Sequence, residues 1–198
     1  MFNKTLDKFT YAEKRAKSID MKNIKWETVD TGIDGLIAII NEGYAFTHYF
    51  KNNSRKMENF VNACFISIDV DGSPVSMEST IDSIDMKPTI AYYTASNLLK
   101  DDGYRFRLLY VFDEPIMKNE YTPLATAVMR YLEDNVEGYK NKDDCSKVIN
   151  QFYFGNDKSE STMTVNKQCI YSLCDFISMD EDDDIENIEE DGDDVRVT

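Results

Sequence analysis

Two aspartates one residue apart close an apolar run, Ala63-Cys-Phe-Ile-Ser-Ile-Asp-Val-Asp-Gly72. The run reads as a strand, and strand alternation puts Asp69 and Asp71 on one face. Two carboxylates so close repel each other, which is expected to cost stability unless a cation sits between them. Hard cations such as Mg²⁺ and Mn²⁺ take oxygen ligands and bridge to phosphates. The chemistry suggested is metal-dependent phosphoryl or nucleotidyl transfer. The competing reading is a strand that runs into an acidic turn, since Asp-Gly is also a turn dipeptide.

Transfer chemistry needs more groups, and the sequence offers candidates. A third carboxylate is available at Asp143 or Asp144, and either one can equally cap a loop. Phosphates need cations or donors. Arg105 and Arg107 alternate on an apolar strand and so share a face. Arg107 is the best phosphate partner, because a planar guanidinium fork grips phosphate oxygens. The plain alternative makes both arginines solvent-facing strand residues paired with surface acids. Thr94, Ser96 and Asn97 can donate from the adjoining strand end, and Arg55 and Lys56 are further cations for template or triphosphate. The single histidine, His48, is expected on an exposed or half-buried strand face without chemistry. Tyr92, Tyr93, Phe152 and Tyr153 are expected in the core rather than as base-stacking platforms.

The elements that must position these groups follow from patterning. A helix is expected near Phe9–Ile19, another over 31–43 with Gly43 as its stop, and an alternating strand over 44–50. After the aspartate strand come a helix over 75–84 and a buried strand over 89–94. A polar turn then spans 97–103. A third strand covers 106–112, stopped by Asp113-Glu-Pro115. The spacing of Leu124, Ala127, Val128, Tyr131 and Leu132 predicts a helix over 121–135, and a short strand follows at 151–155. Strands and helices interleave, so the fold class is α+β or α/β.

The chain has 198 residues, enough for one domain with a substantial core. No run of eighteen apolar residues offers a membrane span, and the opening residues Met1–Lys8 give no secretory apolar region. Four cysteines without CxxC spacing fit a reduced, cytoplasmic protein, with Cys64 as a core thiol. The net charge is −15. Twelve acids and one base, Arg196, lie from Asp175 onward, so the preceding residues carry −4. The bulk charge therefore does not exclude a basic groove. The division expected is a domain over 1–175 and an acidic, disordered tail or linker over 176–198.

In their order, these segments resemble the archaeo-eukaryotic primase superfamily, most of all the primase-polymerase domains of plasmid, phage and mobile-element replication proteins. The resemblance spans about residues 31–156. It rests on Phe65-Ile-Ser-Ile-Asp-Val-Asp-Gly, then Ile90-Ala-Tyr-Tyr-Thr-Ala-Ser-Asn. It continues with Tyr104-Arg-Phe-Arg-Leu-Leu-Tyr-Val-Phe-Asp-Glu-Pro-Ile and the segment from Asp143 to Gly155. It implies an RRM-like sheet with helices packed on one side. Asp69, Asp71 and Asp143, with Asp144 as a further ligand, would hold Mg²⁺ or Mn²⁺. The implied partners are a single-stranded DNA template, a (d)NTP and a helicase domain or protein, with no membrane. Two departures stand out. The superfamily's second motif usually carries a histidine, and Arg107 stands in that position here. Gln151 stands where related proteins often have arginine. These departures keep a second reading open, a non-catalytic RRM-like nucleic-acid-binding or replication-initiation module. Another two-metal enzyme such as a nuclease would want more acids on several strands.

Overall fold

The computed structural model describes residues 1–9, 24–97, 103–139, 144–158 and 162–176, with only the backbone at 144. The ten strands described are β1 (Phe2–Lys8), β2 (Trp26–Val29), β3 (Tyr44–Thr47), β4 (Tyr49–Phe50), β5 (Phe60–Ser73), β6 (Ile90–Tyr93), β7 (Tyr104–Ile116), β8 (Phe152–Phe154), β9 (Thr164–Val165) and β10 (Ile170–Tyr171). The α-helices described are α1 (Ile33–Asn41), α2 (Met77–Ser83) and α3 (Lys118–Asn135). These helices match the expected positions within a few residues, but the single strand expected over 44–50 is two strands, β3 and β4, in different sheets. The helix expected near Phe9–Ile19 lies outside the described residues, apart from Phe9.

The strands form two sheets. One has the order β2-β1-β3-β8, the other β4-β5-β7-β6-β9, and β10 also pairs with β7. The long antiparallel pair β5–β7 is the spine. Its alternation sorts side chains cleanly between two cores. Ile66, Ile68 and Val70 of β5, with Phe106, Leu108 and Tyr110 of β7, pack against α2 and α3. Phe65 and Leu109 turn the other way, with Ile90 and Tyr92 of β6. That second face meets Phe2, Phe46 and Tyr153 of the four-stranded sheet and Leu36, Ile39 and Ile40 of α1. Helices α2 and α3 therefore sit on one face of the long sheet, whereas its other face, against the expectation of helices on one side only, is covered by the second sheet together with α1.

Two local devices start the helices that flank the spine. Ser76 Oγ accepts from the Ser79 amide at 3.2 Å and caps α2. Glu120 reaches back to the Met117 amide at 2.7 Å and closes the first turn of α3. Strand β7 runs past the expected stop at Asp113-Glu-Pro115 to Ile116. The ladder explains this. Phe65 pairs with Val111, the register then shifts, and Ala63 pairs with Ile116. Pro115, which has no N–H, sits in the stretch that β5 does not pair. Strands β1 and β2 were not legible as strands in the sequence. Phe176 is buried, its ring against those of Tyr110, Phe112, Tyr131 and Tyr171.

Candidate active site

The register of the spine sets two acids against two arginines. Asp69 lies opposite Arg107 and Asp71 opposite Arg105. The Arg107 Nε donates to Asp69 Oδ1 at 2.6 Å, and Arg105 Nη1 lies 2.9 Å from Asp71 Oδ1. The expected unrelieved repulsion between Asp69 and Asp71 is therefore absent, because each carboxylate has its own cation directly across the strand pair. Both arginine side chains are nearly buried, at 10% and 9% exposure, whereas Asp69 is 27% and Asp71 57% exposed. The arginines are accordingly not solvent-facing residues paired at random with surface acids.

Arg107 is fixed on every side. Its Nη1 donates to the Tyr92 hydroxyl and to the Phe154 carbonyl, both at 2.8 Å. Its guanidinium also lies 5.0 Å from the centre of the Tyr153 ring. Burial works against the charge, but the Asp69 carboxylate outweighs it and holds the Arg107 pKa above its usual value. Burial likewise pushes the Tyr92 hydroxyl up to about 12, so it stays protonated and donates to the Phe154 carbonyl at 2.9 Å. Three guanidinium N–H groups are thus committed. Among the described residues, the Nη2 group takes no part in those three bonds.

The end of the spine opens into a cleft of about 190 Å³ lined by Asp69, Asp71, Thr94, Ala95, Ser96, Arg107 and Phe154. Five of the residues expected from the sequence thus converge in one place. Thr94 and Ser96 follow β6, and their hydroxyls lie 3.0 Å apart. Arg105 stands beside the cleft rather than in its lining. Its side chain serves Asp71, and its backbone N–H donates to Asn97 Oδ1 at 2.8 Å. Arg55 sits elsewhere. It donates to the Asn150 carbonyl at 2.7 Å and stacks 4.2 Å over the Phe152 ring, next to Trp26. Asp143 and the side chain of Asp144 lie outside the described residues.

Sequence reasoning missed Tyr92 and the Phe154 carbonyl as the groups that orient Arg107. It also placed His48 wrongly. That residue is fully buried, its Nε2 2.9 Å from the Tyr121 hydroxyl and its ring against Phe65 and Tyr153. A signal for the acid–arginine pairing was present. Asp-Val-Asp and Arg-Phe-Arg are charge doublets of the same period on neighbouring apolar strands, the pattern of an antiparallel cross-strand match.

Two carboxylates facing an open cleft supply hard oxygen donors of the kind Mg²⁺ and Mn²⁺ accept. Among the described residues no third His, Cys, Asp or Glu joins them. A cation drawn to Asp69 must share that carboxylate with Arg107. No described helix is long and apolar enough to cross a membrane.

Scanned against protein families, the chain matches none. No curated protein matches it. Among solved structures, the fold is similar to the AEP domain of the cyanophage S-2L primase-polymerase. The TM-score is 0.45 and the identity 8%, over 89% of this chain and 86% of that one.

Proposed function

We propose that this protein is a template-directed nucleotidyltransferase of the primase-polymerase type. The observation that carries the reading is the single cleft in which Asp69, Asp71, Arg107, Thr94 and Ser96 meet. In this reading Asp69 and Asp71 hold Mg²⁺ or Mn²⁺, with Asp143 or Asp144 as a further ligand. The metal, when bound, favours ionisation of the attacking 3′-hydroxyl and neutralises the leaving phosphates. Arg107 offers its Nη2 group to the triphosphate, held in place by Tyr92 and the Phe154 carbonyl. Thr94 and Ser96 donate to the same phosphates, and Arg105 orients Asp71. The substrates are a (d)NTP and a single-stranded DNA template, and the setting is cytoplasmic replication of a mobile element or phage. The RRM-like description of the sheet is supported by β5, β7 and β6 lying side by side in that order, antiparallel, with α2 and α3 on one face. The acidic stretch beyond Phe176 is assigned as a linker, and a helicase after it rests on the resemblance alone.

The second reading, a non-catalytic nucleic-acid-binding module, is favoured by one observation: both acids are already neutralised by arginines. Primer synthesis on single-stranded DNA with dNTPs, NTPs and Mn²⁺ separates the two. The expected result is synthesis by the wild type and none by Asp71→Asn, whose exposed side chain leaves the fold intact. DNA binding without synthesis in Mn²⁺ would favour the binding module.

A further inference from the structure

A second, larger cleft of about 450 Å³ adjoins the acid–arginine cleft and shares Thr94 and Ala95 with it. Its volume falls in the range of small-molecule sites, roughly 300–1,000 Å³. Its lining is different in kind. Two tyrosines, Tyr93 and Tyr104, and two amides, Asn97 and Asn156, stand in place of the acids and the arginine, with Lys158 and Thr162 completing the wall.

The tyrosines are held ready for a flat ligand. The Tyr93 hydroxyl donates to Glu78 Oε2 at 2.6 Å and accepts from the Met77 amide at 3.2 Å, and the ring lies edge-on to Phe106. The Tyr93 ring is therefore fixed before anything binds. Tyr104 is 36% exposed, and its ring centre is 6.2 Å from that of Tyr93 with a 39° tilt. The two rings are too far apart and too tilted to cover one another's faces. An aromatic ring left wet at a cleft wall gains by stacking on another ring. The amides are fixed too. Asn97 Oδ1 accepts from the Arg105 backbone, which aims its Nδ2 to donate to an acceptor. Asn156 Nδ2 donates to the Tyr93 carbonyl at 2.9 Å and ties the strand end to the segment after β8.

We propose that the second cleft receives the nucleoside of the nucleotide whose phosphates occupy the first, with the base against Tyr104 and Tyr93. The inference rests on the nucleotidyl-transfer reading and adds where the base goes. One half of the joined site suits a polyanion with its cation, the other a planar heterocycle, and a nucleoside triphosphate carries both ends in one molecule. A stacking wall reads a π-face that every base has, so the four bases are expected to bind with similar affinity.

The test is equilibrium titration in Mn²⁺ with two probes, a non-hydrolysable nucleoside triphosphate and inorganic tripolyphosphate. Tyr104→Ala is expected to weaken nucleotide binding about tenfold, within the range for loss of one base-stacking ring, and to leave tripolyphosphate binding unchanged. Tyr104→Phe should retain wild-type affinity for both. Arg107→Gln should weaken both. Unchanged nucleotide affinity in Tyr104→Ala, or an equal loss for both probes, would overturn the proposal and leave the transfer reading standing. Failure of the wild type to bind either probe would overturn both. Thermal melts check that the exposed Tyr104 can be replaced without unfolding the chain.

Discussion

Asp69 and Asp71 differ in what their removal leaves behind. Among the described residues, Asp69 is the one charged partner in the contacts of buried Arg107, whose other ligands are a tyrosine hydroxyl and a carbonyl. Asp71 is mostly exposed. Removing one partner of a buried pair strands the other charge and costs about 3–5 kcal/mol. The Asp71–Arg105 pair is half open, with the acid at 57% and the arginine at 10% exposure, so water can take the place of the acid and its loss costs less. Asp69→Asn is therefore expected to destabilise the fold by roughly 3 kcal/mol, near the lower bound because Asp69 keeps some solvent contact. Asp71→Asn should destabilise the fold by less than Asp69→Asn does. Urea denaturation of both variants checks this, and equal midpoints would show that Arg107 does not depend on Asp69. If the site also binds metal, both variants lose synthesis, so activity and stability separate at these two neighbouring positions.

The site's geometry is a property of the β5–β7 pair rather than of any one residue. The register that matches Asp69 to Arg107 and Asp71 to Arg105 shifts between Asp71 and Ser73, where Gly72 is the extra residue, with φ of +72°. A glycine in that conformation makes a bulge that ends the regular ladder just beyond the second acid. The dipeptide Asp71-Gly72 was legible as punctuation, but bulge and turn share the same residue types, and only the partner strand distinguishes them. The long apolar strands and α3 were legible because their periods are clean over many residues. Strands β1 and β2 were not, because Asn3, Thr5 and Thr28 are polar residues that face a neighbouring element. Asn3 Nδ2 donates to Thr28 Oγ1, and Thr5 Oγ1 accepts from the Ala45 amide. Such polar cross-strand matches leave no hydrophobic alternation to read. Gly103 closes the other side of the bulge, with φ of +106°, and a Cβ there would run into the Ser73 carbonyl. Gly103→Ala is expected to cost about 1–3 kcal/mol and to loosen the acid–arginine register. Amide exchange should then quicken at Arg105 and Arg107 more than at Leu108–Tyr110. Uniform protection along β7 would show that Gly103 does not set the register.

At the scale of the whole molecule, the chain crosses between the two sheets at His48, after β3 in one sheet and before β4 in the other. Its buried ring meets Phe60, Phe65, Tyr121 and Tyr153, none of which carries charge near neutral pH. The Tyr121 hydroxyl donates to the Ser146 carbonyl at 3.1 Å, so it accepts from His48 Nε2–H. This fixes the neutral tautomer and leaves Nδ1 buried with no hydrogen-bond partner. A proton on Nδ1 would create a buried cation without an acceptor, and burial holds the pKa down at about 3. The unfolded chain binds that proton near pH 6.5. Above pH 6.5 neither state holds it, and His48 does not affect stability. Below pH 6.5 only the unfolded state takes it up, so stability falls as the pH falls toward 3. The slope approaches 1.4 kcal/mol per pH unit, about 2 kcal/mol lost by pH 5. His48 is the chain's single histidine, and ordinary carboxylates titrate lower, so the window from pH 7 to 5 isolates it. His48→Gln keeps an N–H that can reach Tyr121 and has nothing to titrate. Its unfolding free energy should be nearly flat from pH 7 to 5 while that of the wild type declines. Parallel curves for the two proteins would mean that the junction between the sheets tolerates the charge, and that His48 opens to water before the fold is lost.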